Sequence, residues 1–172
     1  MKKDQLMTTE IYAKDIMITD FDKVDYREPV ETAIKMIFSG KIRDTGDKTT
    51  SLMVINEENH FVGIITMFDI LYHLRPGILN YGMVDGKDIS WEGQIKLFKK
   101  ELINKKIREI MSSEVVGAFP DEHLMILLDR MVKYKYHRLP VLKNNEPIGI
   151  VYISDIYFHL FARDGLVNQR GL

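Results

Sequence analysis

The stretch GIITMFDILYHL, Gly63 to Leu74, returns as GIVYISDIYFHL, Gly149 to Leu160, with Gly, Asp and His in step and Thr66 changed to Tyr152. Outward from this pair the echo continues. Lys14-Asp15-Ile16-Met17 matches Arg108-Glu109-Ile110-Met111 at an offset of 94, and the same offset lays Val30, Ala33, Ile34 and Ile37 on Leu124, Leu127, Leu128 and Met131. That i, i+3, i+4, i+7 spacing predicts an amphipathic helix after each "IM". The offset falls to 87 at Val54 and Val141 and to 86 at Gly63 and Gly149. The first half thus carries extra residues in the polar segment SGKIRDTGDKTTS and one in the turn NEENHF, where turn residues cluster and insertions are tolerated.

Each half is expected to run from a short segment ending in IM through a β-run, a helix and a hairpin-like strand pair (SLMVI with FVGIIT; RLPVL with PIGIVY) to a closing helix. A β-α-β-β-α unit of about sixty residues buries little apolar surface alone, so two copies should share one module. The expected fold is α+β (α/β), two such repeats packed sheet to sheet with an internal pseudo-twofold. The boundaries read as an N-terminal extension 1–12, repeat 1 at 13–75, an inter-repeat loop and linker helix at 76–104, repeat 2 at 105–162 and a tail 163–172. In the linker, Trp91, Ile95, Phe98 and Leu102 form one helical stripe with Ser90 as N-cap, and Lys96, Lys99 and Lys100 lie mostly off it.

Composition narrows the function. Lys+Arg 24 against Asp+Glu 25 leave a net charge of -1, so no global positive field draws nucleic acid. The chain has no cysteine, hence no disulfide framework, thiolate nucleophile or Cys-based zinc site. No apolar run approaches the roughly 20 residues of a membrane span, and the start MKKDQLMTTEIYAKD lacks a signal peptide's apolar segment; a cytoplasmic protein without a membrane partner is expected. No P-loop, no G-x-S-x-G elbow and no recognisable triad spacing is present, so no catalytic residues are assigned and the expectation is a non-enzyme.

The tandem arrangement, with "IM" ahead of each half, GIITMFDIL at the close of the first sheet and YHRLPVL as a strand of the second, resembles the cystathionine-β-synthase (CBS) domain pair, or Bateman module, over about Ala13 to Ala162 apart from the linker. The resemblance implies a stand-alone regulatory sensor that needs no cofactor and binds an adenosine ligand, AMP, ADP or ATP first, in clefts between the repeats. It implies ribose contacts from Thr66 and Asp69 at one site and Ser154 and Asp155 at the other, and phosphate contacts from His137 and Arg138. The adenine pocket would draw on Lys23, Val24, Gly117, Ala118 and Tyr152. A homodimer through the repeat helices, around Ile70, Leu71, Leu74 and Ile156, Tyr157, Leu160, and signalling to an effector protein that the sequence does not name are further implications.

The residues themselves leave alternatives open. A carboxylate accepts two hydrogen bonds side by side, which suits a vicinal diol. Thr66-x-x-Asp69 ahead of an apolar helix is equally the pattern of a capping box. Tyr152 cannot supply a short capping oxygen although Asp155 keeps its place, which favours a ligand role for Asp155. Tyr152 itself either fills the cleft or stacks on a base. Thr50-Ser51 stands where the second half has His137-Arg138, so unequal sites are expected. Gly117 and Ala118 leave room for a base or permit close chain packing. Arg offers a planar fork to phosphate; an ordinary surface Arg is the competing reading. His73 and His159 match across the repeat but lack metal-ligand spacing, Asp20, Asp22 and Asp25 lack the Gly and Glu of a calcium loop, and the ten Met residues read as adaptable core. Two further functions compete: an interaction scaffold without ligand, and a DNA-associated regulator using Lys96, Lys99, Lys100, Lys105 and Lys106.

Overall fold

The computed structural model describes residues 10–43, 46–77 and 91–161. They divide into two compact units, one made of Asp22–Val115 and the other of the chain up to Phe21 together with the chain from Val116. Ser90, the expected N-cap of the linker helix, lies outside the described residues.

In the unit spanning Asp22–Val115, β1 (Lys23–Asp25) pairs in parallel with β2 (Ser51–Ile55), and β2 pairs antiparallel with β3 (Phe61–Thr66). The sheet order is β1-β2-β3. Helix α2 (Val30–Phe38) buries Val30 and Ala33, two members of the predicted stripe. Helix α3 (Met67–Leu74) follows β3 without a loop, and α4 (Trp91–Asn104) is the expected linker helix, packed on α2 and α3 with Leu102 buried.

In the other unit, α5 (Leu124–Tyr134) buries Leu124, Leu127 and Met131, β4 (Arg138–Lys143) pairs antiparallel with β5 (Glu146–Tyr152), and α6 (Ile153–Phe161) closes the repeat. Asn144 and Asn145 both have positive φ, 52° and 66°, as a two-residue turn whose twist matches its strands demands. The registers repeat as the sequence offsets require. Val54 faces Gly63 as Val141 faces Gly149, Ser51 faces Thr66 as Arg138 faces Tyr152, and each hairpin shifts register just after its Val.

The second β-run is shorter than expected. At Gly117-Ala118-Phe119 only Ala118 makes a bridge, parallel to Val141, through Ala118 N–H to the Pro140 carbonyl (2.8 Å) and Leu142 N–H to the Ala118 carbonyl (2.8 Å). In the first repeat the ladder runs on because Tyr26 N–H donates to the Ile55 carbonyl at 2.9 Å. Pro120 holds the place of Tyr26 and has no N–H to give, so the ladder stops.

The lead-in segments change places. Helix α1 (Ala13–Ile16) opens repeat 1, yet Ala13 and Ile16 are buried in the core with Leu127, Leu139 and Val151 of repeat 2. Ile107 and Ile110, at the start of repeat 2, lie in the core with Val24, Val54 and Ile65 of repeat 1. The backbone bonds are exchanged in the same way. Ile18 and Ile150 trade bonds of 2.8 and 3.0 Å, and Ile64 and Ser112 trade bonds of 3.0 and 2.9 Å, while the first N–H of α2 and of α5 is taken by Lys105 and Ile11 carbonyls respectively. Each unit is therefore completed by the other repeat's lead-in.

Candidate functional site

The repeated glycines mark where these lead-ins cross. A Cβ on Gly63 would sit 2.6 Å from the Ser112 carbonyl oxygen, and one on Gly149 would sit 2.6 Å from the Met17 sulfur. The "IM" and the Gly of the quoted stretches are thus two sides of one contact, made twice.

Directly beyond that contact lies the Thr-x-x-Asp turn. Asp69 N–H donates to Thr66 Oγ1 at 3.1 Å, and Thr66 N–H donates to Asp69 Oδ2 at 2.8 Å, so the capping box at the start of α3 is formed. Thr66 Oγ1 also donates to Asp69 Oδ2 at 2.6 Å, and the Ser112 hydroxyl donates to Asp69 Oδ1 at 2.9 Å. Both carboxylate oxygens are engaged, and three of the roughly four acceptor positions of the group are filled. Ser112 is a residue that the sequence alone did not single out; only the exchange of lead-ins brings it here from 43 residues away.

At the second turn Tyr152 N–H donates to Asp155 Oδ2 at 3.2 Å. This half of the box needs only the backbone of the cap residue, so the change to Tyr does not remove every capping bond of Asp155. Ile18 stands at the place of Ser112, so it has no hydroxyl to offer. Ser154 and Asp155 are half-buried at the start of α6, and Tyr152 is buried, 8% exposed.

The remaining predicted residues fall into two groups. Beside Tyr152, across the β4–β5 ladder, Arg138 is half-buried while His137 is exposed, its carbonyl accepting from Ile153 N–H at 3.0 Å. The room at Gly117 is taken by Leu142, whose Cδ1 would lie 2.6 Å from an added Cβ, and Ala118 is buried in the core. Arg130 holds this strip, donating to the Gly117 carbonyl at 3.0 Å and pairing with Glu122 at 2.9 Å, both side chains largely buried. No periodicity advertises Arg130, because it lies off the apolar stripe of α5. In the first repeat Val24 is buried, and Lys23 donates to Asn59 Oδ1 at 2.9 Å. Next to it, hydrogen bonds from the Arg27 side chain and backbone hold the Asp25 carboxyl below its ordinary 3.8.

His73 Nδ1 lies 2.9 Å from the Asp69 carbonyl, a bond within its own helix. Ile156 is 1% exposed and belongs to the core, so it does not form part of an exposed helix face as expected; Tyr157 and Phe158 do, at 66% and 52%. Among the described residues no helix is long and apolar enough to cross a membrane.

A twice-repeated strand-helix unit, with the same Asp at the same helix start in both copies, defines a tandem-repeat architecture. The CBS domain family matches the chain over residues 13–76 and 107–162, and the chain belongs to that family. Its fold is similar to the CBS domain of a membrane protein from Sphaerobacter thermophilus (22% identity, TM-score 0.64, 86% of each chain). It is likewise similar to the CBS domain pair of protein MJ0100 in complex with 5′-methylthioadenosine and S-adenosyl-L-methionine (24%, TM-score 0.63, 90% of this chain and 98% of that one). CBSX2 in complex with AMP shares the fold at 16% identity and TM-score 0.63, covering 89% and 98% of the two chains. Among curated proteins, homoserine O-acetyltransferase from Methanococcoides burtonii is 27% identical over 149 residues, 86% of this chain. The chain spans about a quarter of the length of the curated relatives it matches.

Proposed function

We propose that this chain is a non-enzymatic regulatory module that binds an adenosine compound and passes the change to a partner protein. The observation that carries the reading is the recurrence of Asp69 and Asp155 at equivalent helix starts in a CBS domain chain. Fold relatives in complex with AMP, or with 5′-methylthioadenosine and S-adenosyl-L-methionine, support the ligand class. In this reading Asp69 and Asp155 accept from ribose hydroxyls with Thr66 and Ser154 beside them, and His137 and Arg138 meet phosphate. Lys23, Val24, Gly117, Ala118 and Tyr152 remain the proposed surroundings of the base, with Gly117 and Ala118 acting through backbone groups. Exposed aromatic residues, Phe68 and Tyr72 on α3 and, in the other unit, Tyr157 and Phe158 on α6, are proposed to meet a second copy. Acetyl transfer is not carried over from the curated relatives, since the match takes in 24% of the relative's length.

A ligand-free scaffold is the second reading, favoured by the engagement of Asp69 in its own capping box. Calorimetric titration with AMP, ATP, 5′-methylthioadenosine and S-adenosylmethionine separates the two, run beside Asp69→Ala and Asp155→Ala. Saturable binding of one compound, lost in a variant, with a rise in melting temperature supports the sensor, because a ligand of the folded state alone stabilises by mass action. Folded protein that neither releases heat nor gains stability with any of them leaves the scaffold.

A further inference from the structure

The linker helix gives its unit a feature that the repeat alone lacks. Between α2, α3 and α4 lies a cavity of about 530 Å³. Its α3 wall is the stripe Met67, Ile70, Leu71 and Leu74, faced by Ile34 and Ile37 of α2 and Leu102 and Ile103 of α4. At about 100° per residue this stripe is the side of α3 turned away from Asp69. A separate, smaller cavity of about 220 Å³ also touches Leu71 and Leu74 and is lined further by Ile95 and Trp91. Side by side, the two cavities follow α4 from Trp91 to Ile103, roughly 18 Å of helix, as an elongated slot.

Charge selects its occupant. Among the described residues, the charged side chains lining the larger cavity are Lys48 and Lys99, and no carboxylate lines it. Lys48 donates to the Phe38 carbonyl at the end of α2, which anchors the ammonium at the rim with one of its three donors. The volume falls in the range of about 300–1,000 Å³ usual for small-molecule sites, which combine apolar walls with a few polar groups. We propose that this slot is a second ligand site, which takes a free amphiphilic monocarboxylate with a long aliphatic body, its carboxylate between Lys48 and Lys99 and its chain along α4. A cationic amphiphile is repelled, and a neutral one loses the ion pairs. Among the described residues the second repeat has no counterpart of α4, so the site is proposed for the unit Asp22–Val115 alone.

Decanoate, decanol and decyltrimethylammonium, each below its micelle concentration, test this on the full chain. The expected result is saturable one-to-one decanoate binding, with decyltrimethylammonium at least about fivefold weaker. Lys48→Met with Lys99→Met weakens decanoate about fivefold and leaves decanol unchanged. Leu71→Trp, at a side chain already 55% exposed, blocks the slot and abolishes decanoate binding without unfolding the protein. Folded wild-type protein that shows no saturable decanoate binding, binds the cation equally well, or keeps decanoate binding with Leu71→Trp overturns the proposal. So does a dimer that ignores decanoate and falls to monomer with Leu71→Trp, which assigns the slot to a second copy.

Discussion

Asp69 and Asp155 illustrate how one residue type at one position can be held differently. The Ser112 hydroxyl occupies Asp69 Oδ1, whereas Ile18 stands at that place in the other unit. A ribose diol at Asp69 must displace the serine, since the box already takes Oδ2. Ser112→Ala is therefore expected to tighten an adenosine ligand at Asp69 by about two- to tenfold, the worth of one hydrogen bond no longer given up. Asp69→Ala abolishes that binding, and titration of both variants shows whether the signs differ. A second residue-scale prediction concerns acid. Asp25 has its folded-state pKa lowered by Arg27, so its stabilisation is full above its ordinary 3.8 and is lost as pH falls through the lowered value. Asp25→Asn should lower the urea midpoint at pH 7, and the gap to wild type should close as pH falls through the lowered value.

At the scale of elements, the two Gly positions answer to different neighbours. The Cβ of Gly63→Ala would meet a backbone oxygen at 2.6 Å, which moves only with the whole lead-in. The Cβ of Gly149→Ala would meet Met17 Sδ at 2.6 Å and Cγ at 2.8 Å, atoms of a flexible side chain that can turn aside. Gly63→Ala is expected to cost about 2–3 kcal/mol and Gly149→Ala about 1 kcal/mol, within the range for overpacking; chemical denaturation of the pair measures the order. Much of this level was legible in sequence. The stripes of α2 and α5, the hairpins and the linker helix stand where periodicity and turn residues put them. The missing second strand was legible in principle, because Pro120 is visible, but only the observed ladder shows that Tyr26 N–H is the bond it lacks. Ser112 and Arg130 were not legible, since neither lies on a stripe and each acts across a sequence separation that no local pattern encodes.

For the whole molecule, sequence order and spatial grouping part company. The repeat suggests halves at 13–75 and 105–162, and the compact units are Asp22–Val115 and its complement. The reason lies in the tether. Within Asp22–Val115 the lead-in adds at the outer side of β3, and β1 is at the far edge of the order β1-β2-β3. To reach that place, the lead-in of repeat 1 would have to cross three strand spacings, about 14 Å, on the link from Ile18 to Lys23, whose full extension is about 17 Å. A nearly taut link across the sheet costs more than borrowing the other repeat's lead-in, which arrives from α4. A fragment 22–115 keeps Ile107 and Ile110 in the core, the Lys105 carbonyl on α2 and the Ser112 pairing of Ile64. A fragment 13–75 keeps none of them and also loses Leu102. The first is expected to unfold as a cooperative unit in urea, whereas the second lacks a cooperative transition, although it contains one complete sequence repeat. Circular dichroism of the two fragments reads the difference. Equal cooperativity would mean that repeat 1 can close on its own lead-in, and the exchange would then be a preference of the intact chain instead of a requirement of the fold.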